Sequence, residues 1–357
     1  MSDQLYSASK AAWHIERIQA LREGRQIVPV TLQLNISDLC NQNCSWCAYR
    51  ADRGLSVEQF ADEGGNRNPN RMIPQQKVRE ILEDAAAMGV QGVIFTGGGE
   101  PTVHPHHLAL FRFALDLGMD CSLNTNGVLH RPGWEEVLPR LTYVRYSIDA
   151  GSPEEYAEVR DAQTSHYETA LANMSDLARR VEKVSSRCVV GAGYVVSPTT
   201  WHHLERGVIN IRDTGAHYVR LASMQSTGGR AAYGDSYEEA RTACRRAEAL
   251  SDGGFRVVNM FDAAMGGRPD YRFCGMQQFV LYVGGNLKVY RCCYTAYMEH
   301  GEIGDLTGQS LRYWFESDKK RAMIAAFDAR SCEACALNEK NRAINQMVGT
   351  PDHVNFI

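Results

Sequence analysis

Between Val28 and Ala222 the chain alternates short β-rich runs with amphipathic stretches, and few architectures accommodate that rhythm. The runs 28–36 (VPVTLQLNI), 91–96, 120–125, 142–148, 187–196 and 217–222 are apolar and β-branched and read as strands. Between them the pattern predicts helices over 74–88, 106–118, near 133–139, 168–183 and 200–213. Six β/α repeats in about two hundred residues imply an α/β fold with a parallel sheet and helices outside. A curved, incomplete (β/α)6 barrel and an open doubly wound sheet both satisfy the pattern. In either, ligands bind at the carboxyl ends of the strands.

Three segments lie outside this rhythm. Residues 8–23 place Trp13, Ile15, Ile18 and Leu21 at roughly helical spacing, which predicts an amphipathic helix. Residues 50–72 are polar and rich in Gly and Asn, and a loop of that length reads as a lid over the substrate. After Gly229 the repeat fades into a helix over 236–250 and a cysteine-bearing tail. The chain thus divides into an N-terminal helical extension (1–27), a core (28–230) and a C-terminal part (231–357) with a linker helix.

A formal net charge of −4 argues against a general affinity for nucleic acid or anionic membrane. Lys10, Glu16 and Arg17 interrupt any apolar run near the start, and no stretch approaches the length of a membrane span, so a cytoplasmic protein is expected. For a cytoplasmic protein, eleven cysteines need a reason. An odd number at uneven spacing is a poor disulfide framework, and most of them cluster, which points to metal.

Cys40, Cys44 and Cys47 have the spacing C-x3-C-x2-C directly after the first strand. Three thiolates can hold three irons of a cubane and leave the fourth open to a small molecule. A structural zinc site prefers four ligands in paired knuckles. CNQNCSWC resembles the cluster motif of the radical S-adenosylmethionine (SAM) superfamily, and later strand ends extend the resemblance. The second strand ends in TGGGEP and the third in NTNG; the fourth ends in SID, with Arg160 in the segment after it. The resemblance covers about residues 28–225. It implies that Cys40, Cys44 and Cys47 hold a [4Fe–4S] cluster whose open iron binds SAM. It further implies that Trp46 lies against the adenine and that Gly98, Gly99 and Glu100 hold the methionyl amino group. Asn124, Ser147, Asp149 and Arg160 would complete the SAM site, Ser147 at the ribose and Arg160 at the carboxylate. Reductive cleavage of SAM would then give a 5′-deoxyadenosyl radical that takes a hydrogen atom from the substrate. A flavodoxin- or ferredoxin-type protein would donate the electron.

A second set, Cys274, Cys292, Cys332 and Cys335, has the spacing C-x17-C-x39-C-x2-C. FVLYVGGNLKVY between its first two members reads as a β-hairpin returning Cys292 toward Cys274. Strand alternation turns the adjacent Cys293 to the other face and leaves it a spare thiol, a candidate hydrogen donor. The set is similar to the Twitch module, the shortened relative of the SPASM module, and the spacing resembles that of 2-deoxy-scyllo-inosamine dehydrogenases. That implies an auxiliary [4Fe–4S] cluster; a zinc knuckle also fits this spacing.

Arg220 closes the sixth strand, and Arg230 lies in the turn TGGRA; either suits a substrate carboxylate or phosphate. The expected reaction is oxidation or epimerisation of a small polar substrate such as an aminocyclitol, sugar or nucleoside. The alternatives are radical modification of a ribosomally made peptide and, remotely, a zinc-stabilised binding protein without catalysis.

Overall fold

Alternate residues of a strand face opposite ways, and in this chain the two faces differ in kind. Leu32, Leu34, Val93, Phe95, Val144, Tyr146, Val219 and Leu221 are buried against helices, while Gln33, Asn124, Arg145, Ser147 and Arg220 occupy the other face. On the helix Gln75–Met88, Val78, Ile81, Leu82 and Ala85 form the matching stripe and are fully buried. Each such aliphatic or aromatic side chain contributes roughly 1.5–3 kcal/mol by leaving water.

The computed structural model describes residues 6–47, 49, 71–225 and 228–349. The ten strands among them form one sheet, in the order β10-β9-β8-β1-β2-β3-β4-β5-β6-β7. The six expected strands are β1 (Thr31–Leu34), β2 (Gly92–Phe95), β3 (Asp120–Thr125), β4 (Tyr143–Ser147), β5 (Val189–Val196) and β6 (Tyr218–Ser223), each parallel to the next. Helices expected between them occur as Gln75–Met88, His107–Asp116, Trp134–Val137, Ser165–Lys183 and Leu204–Asp213.

Beyond Gly229 the parallel repeat continues rather than stopping. The helix Tyr237–Glu248 leads to β7 (Arg256–Met260), which pairs parallel with β6. β7 ends the sheet and buries only Val257, so its alternation signal is weak. The expected hairpin is β8 (Val280–Val283) and β9 (Lys288–Tyr290), followed by β10 (Glu302–Asp305). It joins the main sheet, because β8 pairs parallel with the free side of β1.

The N-terminal segment departs from a single amphipathic helix. It is a 3₁₀ segment, Ala8–His14, followed by an α-helix, Ile15–Arg22. Three residues per turn rotate side chains out of a 3.6-residue stripe. Trp13 is accordingly 79% exposed and Ile15 63%, whereas Ile18 is buried with Ile27, Phe279 and Ile344. The expected lid over 50–72 lies outside the described residues except for Arg71 and Met72; Met72 bridges to Ser37. Among the described residues no helix is long and apolar enough to cross a membrane.

Candidate functional site

The loop carrying Cys40, Cys44 and Cys47 follows β1 and rests on the end of the helix Pro153–Arg160. Asn43 N–H donates to the Arg160 carbonyl (2.9 Å) and Ser45 N–H to the Val159 carbonyl (3.0 Å). That helix starts where Ser152 accepts from the Glu155 N–H and Pro153 occupies the first turn. Its last residue, Arg160, is buried, pairs with Asp149, and donates through Nη1 to Gln42 Oε1 (2.7 Å). Burial opposes the Arg160 charge, but Tyr156, Asp149 and the Cys44 and Cys40 thiols hold its pKa above the ordinary arginine value. The second Asp149 oxygen accepts from the Val195 N–H (2.6 Å). Burial raises the Asp149 pKa, and Arg160 opposes that rise.

The TGGGEP turn closes against the same loop. A Cβ on Gly99 would stand 2.2 Å from the Leu39 carbonyl oxygen, and one on Gly98 would stand 2.6 Å from Tyr297 Oη. Only glycine permits that approach. Glu100 is buried and accepts four hydrogen bonds: from Thr102 N–H (3.0 Å), Thr102 Oγ1 (2.7 Å), Thr125 Oγ1 (2.7 Å) and Asn126 N–H (2.7 Å). Burial raises its pKa, and these donors offset part of the rise. Asn126 in turn donates from Nδ2 to Asn41 Oδ1 (2.6 Å), tying the end of β3 to the cysteine loop.

One cavity of about 320 Å³ collects these groups at the carboxyl ends of the strands. Cys40, Cys44, Cys47 and Trp46 line it from the loop, and Gly98, Gly99 and Glu100 from the end of β2. Asn124, Ser147, Asp149, Arg160 and Arg220 complete its wall. Asn124 Oδ1, Ser223 Oγ and Arg220 Nε are buried there without a hydrogen-bond partner, so the wall offers both acceptors and donors to a polar guest.

The sequence profile of the radical SAM superfamily matches residues 34–199. Those residues are similar to that superfamily's domain. The chain is 30% identical over 131 residues to an S-adenosylmethionine-dependent nucleotide dehydratase of Flammeovirga pacifica, covering 36% of this chain and 41% of that one. It is 29% identical over 157 residues to the mycofactocin maturase MftC of Mycobacterium tuberculosis, covering 42% and 34%. It thus spans less than half the length of either curated relative. Among solved structures, Streptococcus suis SuiB bound to S-adenosylmethionine shares the fold with a TM-score of 0.59 at 15% identity, over 95% of this chain and 80% of SuiB.

A radical SAM domain implies SAM and a [4Fe–4S] cluster. The cavity fits both: three thiols at one wall, unpartnered polar atoms at another, and the glycines of the TGGGEP turn beside them. Among the described residues no group of three or more His, Cys, Asp or Glu side chains converges tightly enough for a single metal ion. A cubane takes one thiolate per iron, so its ligand sulfurs need not converge on one point.

The second cysteine set gathers below β9. Burial and then the neighbouring Cys292, Cys335 and Cys332 thiols push the Cys274 thiol up to about 12. Burial, with Cys292 and Cys335, pushes Cys332 up to about 11. Tyr271 Oη and Asn341 Nδ2 each lie 3.8 Å from Cys335 Sγ, donors that sequence reading passed over. Cys293 instead packs beside Tyr282, Tyr290 and Ala296 and does not line the cavity. Strand alternation does not set the facing of Cys292 and Cys293, because β9 ends at Tyr290 and a turn follows, with Thr295 N–H donating to the Cys292 carbonyl (3.2 Å).

Arg230 is not at the site. It is the second residue of a 3₁₀ segment, Gly229–Ser236, lies on the surface, pairs with Glu238 and sits over the Tyr237 ring, 3.9 Å from its centroid. Among the cavity residues missed are Gln42, Arg145 and Tyr294. Gln42 sits inside the C-x3-C spacing, and Arg145 precedes Ser147 by two residues on the same strand, so both had a positional signal. Tyr294 had none.

Proposed function

We propose that the protein is a radical SAM oxidoreductase that dehydrogenates or epimerises a small polar substrate, with an auxiliary [4Fe–4S] cluster on Cys274, Cys292, Cys332 and Cys335. The observation that carries the reading is the convergence of Cys40, Cys44, Cys47, Glu100, Asp149 and Arg160 on one cavity at the strand ends. Bound there, SAM and a [4Fe–4S] cluster supply one-electron, hydrogen-abstracting chemistry.

The chain's own residues do the rest. Cys40, Cys44 and Cys47 hold the cluster. The Gly98–Gly99 turn lets backbone reach the amino-acid end of SAM, with the Glu100 carboxylate beside it. Arg160, in a buried pair with Asp149 and steadied by Gln42, would hold the cofactor carboxylate. Trp46 and Ser147 line the adenosyl part. Cys274, Cys292, Cys332 and Cys335 would hold the auxiliary cluster, which would supply electron-transfer chemistry. A flavodoxin- or ferredoxin-type protein serves as donor.

Anaerobically purified protein should carry about eight irons per chain, and replacing Cys40, Cys44 and Cys47 together by alanine should leave about half. With dithionite and SAM the wild type should release 5′-deoxyadenosine and Cys44→Ala none. Stoichiometric zinc with almost no iron, or wild-type release by Cys44→Ala, would end this reading.

A further inference from the structure

On the sheet face that lines the cavity, two arginines flank a position without a side chain. Arg145 of β4 lies 3.8 Å, through Cδ, from where a Cβ on Gly193 would stand, and Arg220 of β6 pairs in register with Gly193 from the other side. Both guanidinium side chains line the cavity. Neither forms an ion pair among the described residues. The hydrogen-bond partner of Arg145 is the Tyr6 hydroxyl, at 3.5 Å, and Arg220 lies over the Tyr6 ring, 5.6 Å from its centroid, with Nε buried and unpartnered.

The carboxylates in the cavity wall spend their hydrogen bonds elsewhere, although Asp149 also feels the Arg220 charge. Glu100 accepts four hydrogen bonds from its own neighbourhood, and Asp149 gives one oxygen to Arg160 and the other to Val195. Lys340 adds to the positive field: burial, Lys10 and Arg220 together lower its pKa. The same field acts on the Tyr6 hydroxyl. Burial would raise its pKa, yet Arg145 and Arg220 bring it below the usual phenol value. Like charges packed this way repel each other unless an anion comes between them, and two planar forks are suited to one.

We propose that the substrate of this cavity carries an anionic group, a carboxylate or a phosphate, seated between Arg145 and Arg220. Gly193 leaves the room and the two strands set the spacing. The inference rests on the cavity being the SAM-dependent site. It narrows the substrate class from polar to anionic.

The test is calorimetric titration of the cluster-loaded protein, with SAM present, by inorganic phosphate and separately by acetate. Saturable binding of either anion is expected, and the tighter of the two names the group. Arg145→Gln and Arg220→Gln should each weaken it about tenfold or more, the scale of one lost charge-assisted hydrogen bond. Arg220→Lys keeps the charge and loses the fork; it should weaken binding less than Arg220→Gln, and it guards against a misfolded glutamine variant. The exposed Lys319→Gln should bind as the wild type does. Saturation by neither anion, unchanged affinity in the arginine variants, or a fall in SAM affinity as large as the fall in anion affinity would overturn the proposal. If 5′-deoxyadenosine is still released while no anion binds, this inference fails alone; if none is released, the reading beneath it fails.

Discussion

Gly99→Ala tests how closely the TGGGEP turn is built against the first cysteine loop. The added methyl would stand 2.2 Å from the Leu39 carbonyl oxygen, 2.4 Å from the Asp38 carbonyl carbon and 2.6 Å from the Asp38 oxygen. Ordinary contact begins near 3.4 Å, and these are backbone atoms that no rotamer change can move aside. The two segments must part by about 1 Å, at an overpacking cost of about 1–3 kcal/mol. The displaced residues immediately precede Cys40, and the move strains the Glu100 N–H to Leu39 carbonyl hydrogen bond (2.8 Å). The melting temperature should fall by about 1–4 °C. Iron should drop toward the content of the auxiliary cluster alone, with 5′-deoxyadenosine release down at least about tenfold, or about 1.4 kcal/mol in the barrier. Gly92→Ala, at the start of the strand that leads into the turn, is the control, because its methyl would meet the Asp120 oxygen at 3.4 Å and nothing nearer. Thermal melts, anaerobic iron assay and product chromatography on the three proteins decide it. A Gly99→Ala protein with wild-type melting, iron and cleavage would refute the packing argument.

Three further outcomes are expected. Cys292→Ala should lose auxiliary-cluster iron while Cys293→Ala keeps it, read by iron counting; the reverse pattern would exchange their roles. His107 is buried, its Nδ1 2.8 Å from the His104 carbonyl, and burial depresses its pKa to about 4. The fold therefore favours the neutral ring, while the unfolded chain takes up a proton below about 6.5. This term is complete above that pH and is lost as pH falls toward 4, about 2 kcal/mol between pH 7 and 5. Denaturant titration should show His107→Gln lacking that part of the slope, and parallel pH profiles for the two proteins would contradict the assignment. Arg230→Gln should leave 5′-deoxyadenosine release within about twofold of wild type, since an exposed ion pair contributes at most about 1 kcal/mol; a tenfold loss would return Arg230 to the site.

The parts of the fold legible in sequence were those whose signal is local. Strands β1 to β6 show because each buries one apolar face, and the helices between them show because their stripes repeat with the helical turn. The helix Pro153–Arg160 was legible too, in Ser152-Pro153-Glu154-Glu155, but was read only as the segment carrying Arg160. β7 was not legible, because an edge strand with one buried side chain has almost no alternation to detect.

The cysteine spacings, the glycine run before Glu100 and the polar strand ends were all determined by the sequence itself, since the chemistry of each lies in its own few residues. What joined them was decided in three dimensions. The pairing of β8 with β1 links positions about 250 residues apart, and no local pattern encodes a partner at that distance. The same holds for Arg145 and Arg220, which look like unrelated strand residues until Gly193 sets them on either side of one gap. It also holds for Arg230, whose sequence context resembles a site and whose backbone turns it toward Glu238 on the surface. Residue type and spacing fix what a group can do, but its neighbours depend on sheet register, which follows from how the faces of distant strands bury together.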